Sequence, residues 1–343
     1  MELGNSAASA NNQESASKNL KLCADISTAA STAGRSGSSR DINLQVNVGG
    51  LLMKNPVTCA SGTFGYGKEY SQFFDVSCLG AITTKGVSAQ EWSGNPTPRI
   101  AKTSAGMLNS IGLQNPGVEA FCKNALSWLK KQDTNVIVNV SGHSEQEYVQ
   151  VIERLEQEDV VDAYEINISC PNVDAGGMAF GTNPDLAAAI TGTCRKKTKR
   201  PLFAKLTPNV TDITEIARSV ESAGADAISL INTLLGMAID AKKRKPKLAR
   251  IVGGLSGPAI KPVALRCVWQ VHNAVKIPLI GMGGITCAED AIEFMLAGAS
   301  AVAIGAANFN NPYTCPEVLE GITVYCKKEH ITDINKLVGA LQA

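Results

Sequence analysis

Across 343 residues the chain is 44% hydrophobic and carries a formal net charge of +1. That is apolar material for one large domain or two ordinary ones, while near-neutral charge supplies no general basic surface for nucleic acid or an acidic membrane. No apolar run approaches the roughly 18 to 20 residues of a membrane span, and the N-terminus lacks the charged-then-apolar pattern of a secretory signal, so the cytoplasm is the expected location.

Residues 1–40 hold nine Ser and eight Ala, few large apolar side chains and a closing "GRSGSSR". Such a segment buries too little surface to offset the entropy of ordering, and it is read as a disordered tail preceding a single catalytic domain over 41–343. Glu2, Glu14 and Asp25 argue against a transit peptide, a class that avoids acids. The ten Cys are scattered without a C-x-x-C pair, which argues against zinc or iron-sulfur ligation and for packing roles.

From Asp41 onward, eight short apolar runs recur: "NPVTCASG", "GAITTKG", "NVIVNVSG", "AYEINISC", "LFAKLTPN", "AISLINT", "IPLIGMGG" and "AVAIGAAN". Amphipathic stretches lie between them, with Ser144, Asp212 and the Thr286 region as helix starts and Gly224 and Gly298 as stops. Strands alternating with helices pair in parallel through right-handed crossovers, and eight repeats favour a closed (β/α)8 TIM barrel over an open doubly wound sheet. The stretch from "GNPTPR" to "GLQNPG" is expected to form loops over one barrel end, and "KKRKPK" (242–247) a solvated loop after the sixth strand.

In such a barrel the chemistry sits at the C-terminal strand ends. Those ends carry Ser61 and Gly62, Lys85 and Gly86, Asn139, Asn167 and Cys170, Lys205, Asn232 and Thr233, Gly283 and Gly284, and Gly305 and Ala306. The turns "GMGGI" and "IGAAN", with a third at Gly257 in "GLSGPAI", offer backbone N–H groups to an anion, which points to a phosphate-bearing cofactor. The Rossmann G-x-G-x-x-G pattern is absent, so flavin mononucleotide (FMN) fits better than a dinucleotide held in that manner. Lys205 falls in the alternation of core-facing residues and could stabilise negative charge on a reduced flavin, while Lys85 could pair with an anionic substrate group. Asn109, Asn139, Asn167, Asn172 and Asn232 gather at the same end, where carboxamides complement a ring edge of alternating N–H and C=O groups. Cys170, just past a strand end and followed by Pro171, is a candidate base.

The motifs "INISCPNVDAGGMAFGTNPD", "NPVTCASGTFGYGKEY", "GNPTPR", "SAGMLNSIGLQNPG", "KLTPNVTDI", "INTLLGM", "GLSGPAIKPVAL" and "KPVALRCVWQVHNAVKIPLIGMGGI" resemble the dihydroorotate dehydrogenase family, in particular the catalytic subunits of its class 1B, NAD-linked enzymes. The resemblance implies an FMN-containing (β/α)8 barrel that oxidises dihydroorotate to orotate in pyrimidine synthesis. It places the base on Cys170, and it places FMN on Ser61, Lys85, Gly86, Asn139, Asn167, Lys205, Ile231, Gly257, Gly283, Gly284, Gly305 and Ala306. It places substrate on Lys85, the segment Asn109, Ser110, Ile111, Gly112 and Leu113, and on Asn167, Asn172, Asn232 and Thr233. No metal is implied in this chain. A second subunit carrying FAD and a [2Fe-2S] cluster is implied as the route to NAD, in a heterotetramer of two catalytic and two electron-transfer subunits. Three rival readings carry other consequences: a fumarate-reducing class 1A homodimer, a uracil-reducing barrel with His in place of Asn172, and an RNA-acting flavoprotein similar to a tRNA dihydrouridine synthase.

Overall fold

The computed structural model describes residues 42–169 and 180–342. The Ser/Ala-rich segment 1–40, Cys170 and Asn172 lie outside them. Each of the eight apolar runs holds one short barrel strand: β1 (Val57–Cys59), β2 (Ala81–Thr83), β3 (Asn135–Val140), β4 (Ala163–Ile166), β5 (Leu202–Leu206), β6 (Ala227–Leu230), β7 (Leu279–Met282) and β8 (Ala301–Ile304). All pair in parallel in the order β1-β8-β7-β6-β5-β4-β3-β2. Gly80 N donates to Val57 O at 3.0 Å and Thr58 Oγ1 to Ala81 O at 2.9 Å, so β1 meets β2 and the barrel closes. Strand residues are buried on both faces because helices cover the outside, which is why the runs read as continuous apolar segments.

Long helices follow β3 to β8: α1 (Glu145–Leu155), α2 (Pro184–Arg195), α3 (Ile213–Ser222), α4 (Lys261–His272), α5 (Ala288–Leu296) and α6 (Thr314–Lys328). Ser144 and Asp212 cap α1 and α3 by accepting from Glu147 N and Thr214 N, as expected of helix starts. At α5 the cap is Cys287, and Asp290 reaches back to Thr286 N at 2.7 Å and Cys287 N at 3.2 Å. Gly224 and Gly298 lie just past the ends of α3 and α5. Seven of the eight described cysteines are buried.

Two features depart from the sequence reading. The "GNPTPR" to "GLQNPG" stretch is not merely looped: Ile100–Thr103 and Gly106–Asn109 form an antiparallel hairpin, extended by Val252–Ser256 and Leu234–Met237 from the β6–α4 connection into a four-stranded sheet. Both segments leave the C-terminal ends of barrel strands, so this sheet stands over the barrel mouth. The basic run 242–247 is a fully exposed turn closed by the pair Ile239–Asp240 and Lys245–Pro246. The second departure is an N-terminal hairpin, Val46–Val48 with Leu51–Met53, whose Val46, Val48, Leu51 and Met53 are buried.

That hairpin seals the opposite end of the barrel, where its Gly49–Gly50 turn abuts Asp226 just before β6. Both glycines have positive φ, 58° and 94°, the backbone a two-residue hairpin needs. A Cβ on Gly49 would lie 2.3 Å from Asp226 O. Gly49→Ala is therefore expected to cost roughly 1–3 kcal/mol, read as a lowered denaturant midpoint with an unchanged slope.

Candidate active site

The floor of the C-terminal face is a buried polar cluster contributed by four adjacent strands. Glu165 of β4 lies at its centre: Oε1 accepts from Asn139 Nδ2 of β3 at 2.5 Å, and Oε2 accepts from Ser229 Oγ of β6 at 2.6 Å. Lys205 Nζ of β5 stands 3.6 Å from Oε1, and the two side chains are only 5% and 2% exposed. A buried ammonium needs a counter-charge, and a buried carboxylate needs donors; each requirement is met here. Lys205 was the sequence candidate, whereas Glu165 and Ser229 were missed. The signal for Glu165 was a charged residue inside an apolar strand run, in alternation with Asn167 and Ser169.

Just past the end of β4, a second chain of hydrogen bonds links strand ends. Ser169 Oγ donates to Asn167 Oδ1 at 2.6 Å and accepts from Asn232 Nδ2 at 2.6 Å, while the Asn167 carbonyl accepts from Tyr148 OH at 2.7 Å. Asn167 and Asn232 are thus brought together through Ser169, which sequence reasoning also passed over. Asn232 Oδ1 in turn accepts from Thr233 N at 2.8 Å.

Asn109 enters from the overlying sheet, donating from Nδ2 to Gly254 O at 3.3 Å. Gly254 pairs with Asn109 and lies against Thr233, so the sheet brings these two candidates near one another. Asn95 holds the rest of the segment in place: its side chain donates to Ser110 O and Oγ, and its N–H to Ile111 O. Gly112 packs on Asn95, and Leu113 takes a positive φ of 51°. Arg99, bound to the Asn95 carbonyl and at 2.7 Å to Gln114 Oε1, braces the same loop.

Lys85 follows β2, with its N–H donating to Gly65 O at 2.9 Å. Its ammonium makes no ion pair with any described residue. Burial, reinforced by the Arg99 guanidinium, lowers its pKa below the ordinary 10.5, opposed by Glu69. Gly86 is buried directly behind it, and a Cβ there would come within 2.8 Å of Ser141 Oγ and 3.0 Å of Asn139 Oδ1.

The glycine turns converge on the far side of the mouth. A Cβ on Gly284 would lie 2.9 Å from Gly257 O and equally close to Lys261 N, so the turns after β6 and β7 touch backbone to backbone. Gly283 packs beside Ile231, whose N–H donates to Met282 O at 3.0 Å. Gly305 and Ala306 follow the neighbouring β8 and lead into a short helix, Ala307–Asn310, while Ala60 and Ser61 follow β1 next to it. A Cβ on Gly305 would meet nothing nearer than 3.6 Å, so this part of the turn cluster is open.

A family model described as dihydroorotate dehydrogenase matches residues 43–325. Three relatives bear the name dihydroorotate dehydrogenase B (NAD(+)), catalytic subunit. The protein from Alkaliphilus oremlandii is 59% identical over 87% of this chain and 99% of its own length. Those from Lachnoclostridium phytofermentans and Desulforamulus reducens are each 58% identical, over 88% and 87% of this chain and 100% and 98% of their own lengths.

The state of Lys85 has a testable consequence for stability. Because its folded pKa lies below 10.5, the folded chain releases this proton more readily than the unfolded one. The resulting cost is full below the folded pKa and disappears as pH rises to 10.5. Lys85→Met is expected to raise the denaturation midpoint at neutral pH, with the gain over wild type shrinking as pH is raised toward that value.

Proposed function

The chain belongs to the dihydroorotate dehydrogenase family and is an oxidoreductase, and on that premise we propose that it oxidises (S)-dihydroorotate to orotate in pyrimidine biosynthesis as the catalytic subunit of an NAD-linked enzyme. The observation that carries this reading is the juxtaposition, at one barrel mouth, of a buried ammonium at Lys205, a group of carboxamides and a cluster of touching glycine turns.

These residues fit FMN. The turns at Gly257, Gly283, Gly284, Gly305 and Ala306 have the small residues and backbone approach that a phosphate requires. Asn139, Asn167, Lys205, Ile231 and the Ser61 and Lys85–Gly86 turns would line the remainder of the cofactor. When bound, FMN supplies the acceptor for the hydride that leaves C6 of dihydroorotate. Cys170 is assigned the proton at C5, which passes to its Sγ. Asn109, Asn167, Asn172, Asn232 and Thr233 would orient the substrate's ring amides, and Lys85, with the segment from Ser110 to Leu113, its carboxylate. Lys205 favours added negative charge at the mouth because its own charge is held in a dry interior, where electrostatic interactions are screened little.

The names of the relatives support a partner subunit. We assign that partner FAD and a [2Fe-2S] cluster, with NAD as final acceptor and two copies of each subunit in the assembly. The class 1A alternative needs no partner and uses fumarate.

Purified chain is expected to be yellow, and anaerobic addition of dihydroorotate to bleach its flavin absorbance. A colourless protein unable to take up FMN would overturn the reading, and rapid turnover with fumarate would replace it with the homodimeric one. Cys170→Ser should keep the flavin spectrum and slow bleaching by about 10²-fold or more; an undiminished rate removes the base from Cys170. Gly284→Ala, which crowds Gly257 O, should purify with less FMN than wild type, measured by the ratio of flavin to protein absorbance.

A further inference from the structure

Glu165 has no part in the chemistry above, yet it is the most completely enclosed charge of the site. Its exposure is 2%, it lies at the barrel centre, and donors from both β3 and β6 converge on it. Register places it on the inner side of Lys205: Glu165 is opposite Phe203, two residues nearer the start of β5 than Lys205. The 3.6 Å separation from Lys205 Nζ is an ion pair longer than a hydrogen bond, while the carboxylate's short hydrogen bonds go to Asn139 and Ser229. Among the described residues Lys205 Nζ donates to no acceptor at hydrogen-bond distance. Glu165 thus balances the ammonium's charge and leaves its N–H groups free.

We infer that Glu165 is a positioning residue, the counter-charge that stabilises the Lys205 ammonium and leaves its donors available at the barrel mouth. This rests on the reading that Lys205 would help hold FMN at the barrel mouth. The other groups facing the pair do not substitute for Glu165. Ser229 and Asn139 are neutral, and Cys59 of β1, buried, has its thiol pushed up to about 12, chiefly by burial and in smaller part by the charge of Glu165. A buried lysine that loses its counter-charge holds its proton less readily.

The test measures the midpoint potential of the bound flavin against pH in wild type, Glu165→Gln, Glu165→Asp, Lys205→Met and the double variant Glu165→Gln/Lys205→Met. In Glu165→Gln the potential is expected to fall toward that of Lys205→Met, and to fall further as pH is raised, because the positive charge beneath the ring is lost. Glu165→Asp, which keeps the charge, should recover most of the wild-type value, and Glu165→Gln should add nothing once Lys205 is Met. A Glu165→Gln protein with full FMN and a wild-type potential at every pH overturns the inference, as does an equal shift in the Lys205→Met background. Denaturation of the flavin-free proteins separates this outcome from failure of the flavin reading. If the charges are paired, Glu165→Gln alone lowers the midpoint more than the double variant does. A double variant as unstable as the single, or one that fails to fold, makes Glu165 a scaffold residue and overturns the pairing.

Discussion

The constraint on which the site depends is the cost of holding an ammonium inside a barrel. An isolated charge in such surroundings is heavily penalised, and a pair is tolerated only where geometry and further hydrogen bonds satisfy both partners. Glu165 on β4 meets that condition through Asn139 and Ser229, which donate to its carboxylate from the flanking strands, while Lys205 on β5 is met by the counter-charge alone. Four consecutive strands of the sheet are therefore committed to one polar cluster within an otherwise apolar interior. Losing any one member leaves its neighbours with unsatisfied groups in a place water cannot readily reach.

Above this level the site is shaped by backbone. Gly257 and Gly284 allow the turns after β6 and β7 to touch, and Gly106 and Gly254 allow the overlying sheet to close on the mouth: a Cβ on Gly106 would lie 2.0 Å from Ser256 O, and one on Gly254 2.0 Å from Thr233 Oγ1. Close approach of main chain sets the directions of its N–H groups by the fold, with no side-chain entropy involved. The charged floor and the glycine rim thus contribute different things, a field from below and a fixed set of donors at the side.

Much of the barrel was legible from sequence. Its strands are local: "NVIVNVSG" or "LFAKLTPN" reads as a strand from its own composition, and the right-handed crossover rule supplies the neighbours. The four-stranded sheet was not legible, because Gly106–Asn109 pairs with Val252–Ser256 across more than a hundred residues and neither segment alternates cleanly. The N-terminal hairpin was legible in principle, since Val46 and Val48 alternate up to Gly49–Gly50, the turn most typical of a tight hairpin. Among candidate site residues, those at strand ends were proposed from their position. Glu165 and Ser229 were hidden in runs read as core, where only the oddity of a charge among Ala163, Tyr164 and Ile166 marked Glu165.

The second hydrogen-bonded chain bears on the segment that follows Ser169. Ser169 is the last described residue before Cys170, and it is buried and held by Asn167, just past the end of β4, and Asn232 beyond β6. Asn167 is fixed in turn through its N–H to Val140 O at 2.8 Å and its carbonyl to Tyr148 OH on α1. The chain therefore enters the segment carrying the candidate base from a point set by three elements, β3, α1 and the β6 end. A proton transfer depends on reach to within a few tenths of an ångström, and such reach is best built on anchored neighbours. The carboxamides of Asn167 and Asn232 thus fix, through Ser169, the point from which the chain enters that segment.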